Sequence, residues 1–157
     1  MKKIIPDYSE LWLIISKLRQ EGKKIIFTTG VFDAELHEGH LKYLKLCKEL
    51  GGILFVGIHS DNLTKERKGL NRPLLNENIR ARNVLSVDCV DYVFIIPSQG
   101  DVYTTIDDIK PDILAVSETT KDYANSPKTM IKLFGEDMEV ITFPAQSDIH
   151  TSDLFSK

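Results

Sequence analysis

Short apolar runs rich in β-branched residues recur along this chain, separated by stretches with helical spacing, and that alternation limits the folds open to it. Lys24–Thr29, Ile53–Ile58, Tyr92–Ile96, Ile113–Val116 and Glu139–Phe143 read as strands. Residues 8–21 place Leu11, Leu13, Ile14, Ile15 and Leu18 at spacings that suit an amphipathic helix, which Gly22 stops. In a second helix, 39–50, a turn of about 100° per residue gathers Tyr43, Leu44, Cys47 and Leu50 on one face. Lys42, Lys45, Lys48 and Glu49 fall on the other face, and Gly51-Gly52 ends the helix. Residues 77–88, 102–109 and 128–134 also read as helical, and a last helix begins near Thr151. Residues 62–75 are polar and basic, contain Gly69 and Pro73, and read as a mobile loop. Strands and helices in this order imply an α/β fold, a Rossmann-like parallel sheet of about five strands with helices on both faces.

Composition narrows the classes of function. A length of 157 residues suits one domain with a proper core, and no linker, repeat or low-complexity segment interrupts it. The net charge of −3 gives no reason to expect nucleic acid or an anionic membrane as a partner. No stretch reaches the length of a membrane span, and polar residues interrupt the start of the chain, so a cytoplasmic location is expected. Cys47 and Cys89 lie far apart without a C-x-x-C pattern and read as thiols in a reducing compartment. The apolar first helix, with Leu11, Trp12, Leu13, Ile14 and Ile15, favours a homodimer, although Trp12 also suits a partly buried core position.

In folds of this kind ligands sit at the carboxyl ends of the strands, near the point where strand order reverses. The residues with chemical capacity gather there. Gly30–His40 follows the first expected strand, His59–Asp61 the second and Ser117–Tyr123 the fourth. His37-Glu-Gly-His40 stands where a helix begins, so two imidazoles, a close backbone approach at Gly39 and free N–H groups can meet an anion. A metal site does not fit, because no cysteine lies nearby and only Glu38 stands between the histidines. Two surface histidines are the plain alternative.

Gly30-Val-Phe-Asp33 followed by His37-Glu-Gly-His40 resembles the G-x-F-D-x-x-H-x-G-H signature of the cytidylyltransferase-like nucleotidylyltransferases. The likeness continues through Ser60-Asp61, Thr64–Gly69, Asn71-Arg-Pro73, Arg80, Val90–Val93 and Ile149–Leu154, a variant of the I-S-T-T-x-I motif. Lys23–Asp33 and the Lys-Gly…Arg-Pro loop look most like the heptose-phosphate adenylyltransferases. The resemblance implies that His37 and His40 bind the nucleotide phosphates and stabilise the departing pyrophosphate. Lys65 and Lys68 would act from the basic loop on the triphosphate or the acceptor phosphate, unless that loop is simply a solvated surface. Thr29, Gly30, Val31, Phe32, Asp33 and Gly39 would line the nucleotide, with Arg80, Thr151 and Ser152 as further phosphate ligands. Asp61, Asp122 and Tyr123 would meet the acceptor. Asp33 and Asp61 would either orient loop backbone or approach a Mg²⁺, the implied cofactor.

The implied reaction transfers a nucleoside monophosphate from ATP or CTP to a phosphorylated sugar or polyol and releases pyrophosphate. A glycerol-3-phosphate-type cytidylyltransferase is the nearest alternative, and a non-catalytic nucleotide-binding module is the alternative of another class. Class I aminoacyl-tRNA synthetases share a H-x-G-H motif, but the chain is too short for one and has no K-M-S-K-S segment. Two departures stand out. Ala34, Glu35 and Leu36 put three residues between Asp33 and His37 where the signature has two, which calls for a bulge or displaces Asp33. Ser117-Glu-Thr-Thr-Lys-Asp-Tyr123 lacks the glycines of the K-G-G-D-Y-like segment of heptose-phosphate enzymes, and His150 replaces a serine.

Overall fold

The computed structural model describes residues 2–33, 36–118, 137–144 and 146. Its order is β1 (Lys3–Ile4), α1 (Tyr8–Gln20), β2 (Ile25–Gly30), α2 (Glu38–Lys48), β3 (Ile53–His59), α3 (Asp61–Lys68), α4 (Glu77–Leu85), β4 (Tyr92–Ile96), α5 (Gln99–Ile109), β5 (Ile113–Ser117) and β6 (Glu139–Phe143). The helices expected at 128–134 and near Thr151 lie outside the described residues.

The strands form one six-stranded sheet in the order β1-β4-β3-β2-β5-β6, parallel throughout. The α/β Rossmann-like expectation therefore holds, with one strand more than expected. The addition is β1, too short to show a pattern, whose Lys3 and Ile4 pair with Tyr92 and Val93 at the sheet edge.

Alternation along the strands sends successive side chains to opposite faces. Ile25, Phe27, Phe55, Phe94, Ile96 and Leu114 pack with Leu11, Ile15 and Leu18 of α1 and Ile106 and Ile109 of α5. Ile26, Leu54, Val56, Ile58, Val93 and Ala115 pack on the opposite face with Leu44 and Cys47 of α2 and Ala81 and Val84 of α4. The two helices on each face are thus recruited by a strand period of two meeting a helical period of 3.6. Buried apolar area of this kind is the main source of folding free energy.

This packing changes the reading of α1. Leu11, Ile15 and Leu18 are buried in the chain's own core, and Trp12 packs against it beside Tyr8 at a ring separation of 5.6 Å. Of the residues that favoured a dimer, only Leu13 stands fully in solvent, at 72% exposure. Leu11 and Ile15 of that surface are spent internally, and Trp12 and Ile14 are half-buried.

The second change is α3. Residues 61–68 are helical where a mobile loop was expected. Ser60 caps the helix, its Oγ accepting the Leu63 N–H at 3.0 Å and donating to the Pro97 carbonyl at 2.9 Å. Thr64 Oγ1 donates to the Ser60 carbonyl at 2.8 Å. With only Leu63 and Thr64 buried, α3 shows no apolar stripe in sequence and is held by its cap and two anchors.

Candidate active site

The strand order reverses at β2, which has β3 on one side and β5 on the other. Its ladder with β3 runs the full length from Ile25 to Gly30, but its ladder with β5 pairs only Ile26 with Ile113 and Phe27 with Leu114. Beyond those pairs the two strands part toward their carboxyl ends, which opens the crevice such folds use for ligands. Gly30 to His40 follows β2 at this edge.

Gly30 permits the local turn. A Cβ there would lie 2.6 Å from the ring of Phe32, whose backbone adopts φ 52°. Phe32 is thereby folded in, 8% exposed, with its ring 5.5 Å from that of His40. Thr28 Oγ1 and the Tyr43 hydroxyl share a hydrogen bond of 2.8 Å, which fixes α2 across the end of β2.

At the start of α2 the two histidines form a reciprocal cap. His37 Nδ1 accepts the Gly39 N–H at 3.0 Å, and His40 Nδ1 accepts the His37 N–H at 3.3 Å. The rings stack with centroids 3.9 Å apart. Because each Nδ1 is an acceptor, each ring carries its proton on Nε2, which puts two N–H donors at a helix N-terminus. Burial holds the His40 imidazole down at about 4, helped by His37 and by the Lys68 ammonium. His40 is therefore neutral near pH 7. Gly39 is buried between them, as a close-packed N-terminal turn requires.

Lys68 ends α3. Desolvation pulls its ammonium below the usual lysine range, the Arg72 and Arg67 guanidinium groups adding to that and Asp33 opposing it. The Lys68 charge contributes to lowering the pKa of both His40 and His59. Lys65, one turn earlier, is exposed.

Asp33 takes the first of the two roles expected of it, orienting loop backbone, and Arg80 is engaged by protein groups. Asp33 is fully buried; its Oδ2 accepts from Arg72 Nε at 2.7 Å, and its Oδ1 accepts from the Leu74 and Leu75 N–H groups at 2.8 and 3.1 Å. It orients the 72–75 backbone and has no oxygen left for a nucleotide. Arg80 is likewise 0% exposed. Its Nε donates to the Leu75 carbonyl at 2.9 Å, and Nη1 to the carbonyls of Val31 and His59 at 2.8 and 2.7 Å. Its Nη2 donates to Asp61 Oδ1 at 2.7 Å. A guanidinium so engaged, with four of its five N–H groups on protein acceptors, stitches the ends of β2 and β3 to α3.

Asp61 keeps one carboxylate oxygen on Arg80, and its backbone N–H donates to Glu77 Oε1 at 2.9 Å. Mg²⁺ keeps several waters and binds chiefly through substrate phosphates with one or two carboxylates. Asp61, partly exposed, fits that part; Asp33 does not. Among the described residues no group of three or more His, Cys, Asp or Glu side chains is arranged to hold a metal by itself. Asp122, Tyr123, Thr151 and Ser152 lie outside the described residues. Arg72, read in sequence only as part of Asn71-Arg-Pro73, emerges as the partner of Asp33. A groove of about 870 Å³ between α2 and α4 is lined by Leu36, Leu41, Leu75, Ile79 and Val87, and none of the histidines or Lys68 lines it.

A parallel sheet splits at its switch point and sets imidazole N–H donors at a helix N-terminus, an arrangement that suits an anion. The cytidylyltransferase-like family matches residues 27–156, and the chain belongs to that family, which places it among the nucleotidyltransferases. It is 44% identical over 113 residues to the "Bifunctional protein HldE" of a Nitratiruptor species, covering 72% of this chain and 24% of that protein. The protein of the same name from a strain of Helicobacter pylori is 42% identical over 123 residues, covering 78% and 25%. The chain thus spans about a quarter of the length of the curated relatives it matches. Among solved structures, the lipopolysaccharide core biosynthesis protein of Thermoplasma volcanium superposes with a TM-score of 0.66 at 30% identity, over 79% of this chain and 98% of that one. The pantoate-beta-alanine ligase of Francisella tularensis shares the fold alone, with a TM-score of 0.65 at 20% identity over 97% and 69%. No described helix is long and apolar enough to cross a membrane.

Proposed function

We propose that this domain transfers a nucleoside monophosphate from ATP or CTP to a phosphorylated sugar or polyol. An oxygen of the acceptor phosphate attacks the α-phosphorus in line, one P–O bond forms, and the bond to the β-phosphate oxygen breaks as pyrophosphate leaves. The acceptor phosphate is largely dianionic at neutral pH, its second pKa being about 6, so no general base is needed. Catalysis then rests on positioning and on charge stabilisation.

The observation that carries this reading is the reciprocal cap of His37 and His40, which sets two Nε2–H donors at the N-terminus of α2 beside the split between β2 and β5. Desolvation is the leading cause of the lowered pKa of His40, His59 and Lys68, and neighbouring cations add to it in each. His37 and His40 would donate Nε2–H to the triphosphate, with Lys65 and Lys68 acting on it or on the acceptor phosphate. Mg²⁺ would arrive on the triphosphate and meet Asp61. ATP is favoured by the likeness to heptose-phosphate adenylyltransferases, and a sugar phosphate by the solved relative named for lipopolysaccharide core biosynthesis. The same resemblance favours a homodimer, and the two free thiols, Cys47 and Cys89, suit the cytoplasm.

Pyrophosphate release tests the reading, with ATP and CTP each offered against a heptose 1-phosphate and glycerol 3-phosphate. Release with one pairing supports it and names the substrates. Thermal stabilisation by the triphosphates without release from any pairing would favour the non-catalytic module.

A further inference from the structure

His59 ends β3 on the face opposite α2. It follows Phe55 and Gly57 in the strand alternation, so it belongs to the α1/α5 face that Leu63 of α3 helps to cover. The residue is 5% exposed, and both ring nitrogens are buried without a hydrogen-bond partner among the described residues. Leaving buried polar atoms unpaired is costly, and native structures rarely do so without a reason. Its backbone, by contrast, is tied down, the carbonyl accepting from Arg80 at 2.7 Å. The residue therefore sits at the carboxyl end of a central strand, at the level where ligands bind.

Its surroundings indicate the ligand. Burial first, then Arg67, Arg80 and Lys68, holds the imidazole at about 3, so it is neutral. A neutral imidazole offers one donor and one acceptor. A phosphate oxygen uses only the donor, and the nearby cations already serve phosphate better. A hydroxyl uses both. The transferase reading gives the triphosphate to His37 and His40 at α2, across the sheet, and the Lys68 charge acts on both His40 and His59.

We infer that His59 recognises a hydroxyl of the acceptor beside the carbon that bears its phosphate, while Arg67 and Lys68 hold the phosphate itself. This rests on the transferase reading above for the class of acceptor, and it makes His59 a specificity-determining residue. Sequence alone marked its position after a strand but assigned it no role.

Binding of a heptose 1-phosphate, glycerol 3-phosphate, their analogues lacking that hydroxyl (2-deoxyheptose 1-phosphate and 3-hydroxypropyl phosphate) and inorganic phosphate is measured by calorimetry on the full chain. The unaltered chain is expected to prefer at least one hydroxylated probe over its deoxy analogue by about tenfold or more. His59→Phe, which keeps the bulk and removes both nitrogens, should abolish that preference, and His59→Asn, with a donor and an acceptor, should restore part of it. Affinity for inorganic phosphate and for the triphosphates should stay within about twofold in both variants, a margin well below one lost hydrogen bond. Should His59→Phe fail to fold, the ¹⁵N resonances of the native His59 ring decide: they are expected to move with the hydroxylated probe and not with inorganic phosphate. An absent preference in the native chain, a preference unchanged in the variants, or an equal loss of triphosphate affinity would overturn the inference. Pyrophosphate release with the same probes keeps the two claims apart. A His59-dependent preference without release refutes the transferase reading only, and release with a His59-independent preference refutes the role of His59 only.

Discussion

His40 combines several constraints in one ring. It accepts the His37 N–H, stacks on His37, lies against Phe32 and is kept neutral by burial. If its remaining N–H stabilises the leaving pyrophosphate, His40→Ala should lower turnover on the order of a hundredfold or more at saturating substrates. Near-normal turnover, measured by pyrophosphate release, would remove His40 from the reaction. The two depressed histidines also set a pH dependence of stability. Their folded pKa values, about 4 for His40 and about 3 for His59, lie below the usual 6.5, so the unfolded chain binds protons more readily. Their contribution is complete above about pH 6.5 and is lost as pH falls toward 3, at no more than about 1.4 kcal/mol per pH unit for each group. The urea midpoint should therefore climb from pH 4 to 6.5 and level off above 7, and His59→Asn should flatten the climb. An unchanged slope in that variant would mean the ring is not buried as described.

At the scale of elements, the strands and the helices on both faces were legible because their periods are strong. Tyr92–Ile96 and Glu139–Phe143 have the bounds expected from the pattern of apolar residues. The helix beginning at Glu77 closes three residues early, at Leu85, because Ser86 takes the cap and directs its N–H to the Arg82 and Val84 carbonyls. Two elements carried no periodic signal. β1 is a two-residue edge, and α3 is a polar helix stabilised by Ser60 and by contacts from distant loops. The site was partly legible for the same reason. A motif names residues that lie together in sequence, such as His37, Gly39 and His40, but not which distant groups consume their hydrogen-bonding capacity. The resemblance gave Arg80 to a phosphate and left Asp33 two roles, whereas tertiary contacts tie Arg80 to the ends of β2 and β3 and to α3, and Asp33 to the 72–75 backbone. This difference is testable. Arg80→Lys keeps the charge but cannot make the forked contacts, and it should lower stability by about 3 kcal/mol in urea unfolding. A phosphate ligand at a preformed surface would instead leave stability intact and raise only the KM for the triphosphate.

Over the whole molecule, the fold provides a rigid sheet that splits at its switch point, and the chemistry is distributed over the segments that leave it. α2 supplies neutral donors, α3 supplies cations, and Arg80 and Asp33 keep the two in register. No cluster of described side chains could hold a metal unaided, and Asp61, unlike Asp33, is partly open to solvent. Removing Mg²⁺ with EDTA should therefore stop turnover while leaving the thermal midpoint of the ligand-free chain unchanged. A falling midpoint would reveal a structural metal. The central claim is the bond that forms, and ³¹P NMR of a reaction containing the triphosphate, Mg²⁺ and the accepted sugar or polyol phosphate reads it directly. Equal amounts of pyrophosphate and a new P–O–P diphosphate resonance are predicted. Nucleoside diphosphate with inorganic phosphate, or unchanged triphosphate with every acceptor offered, would contradict the account.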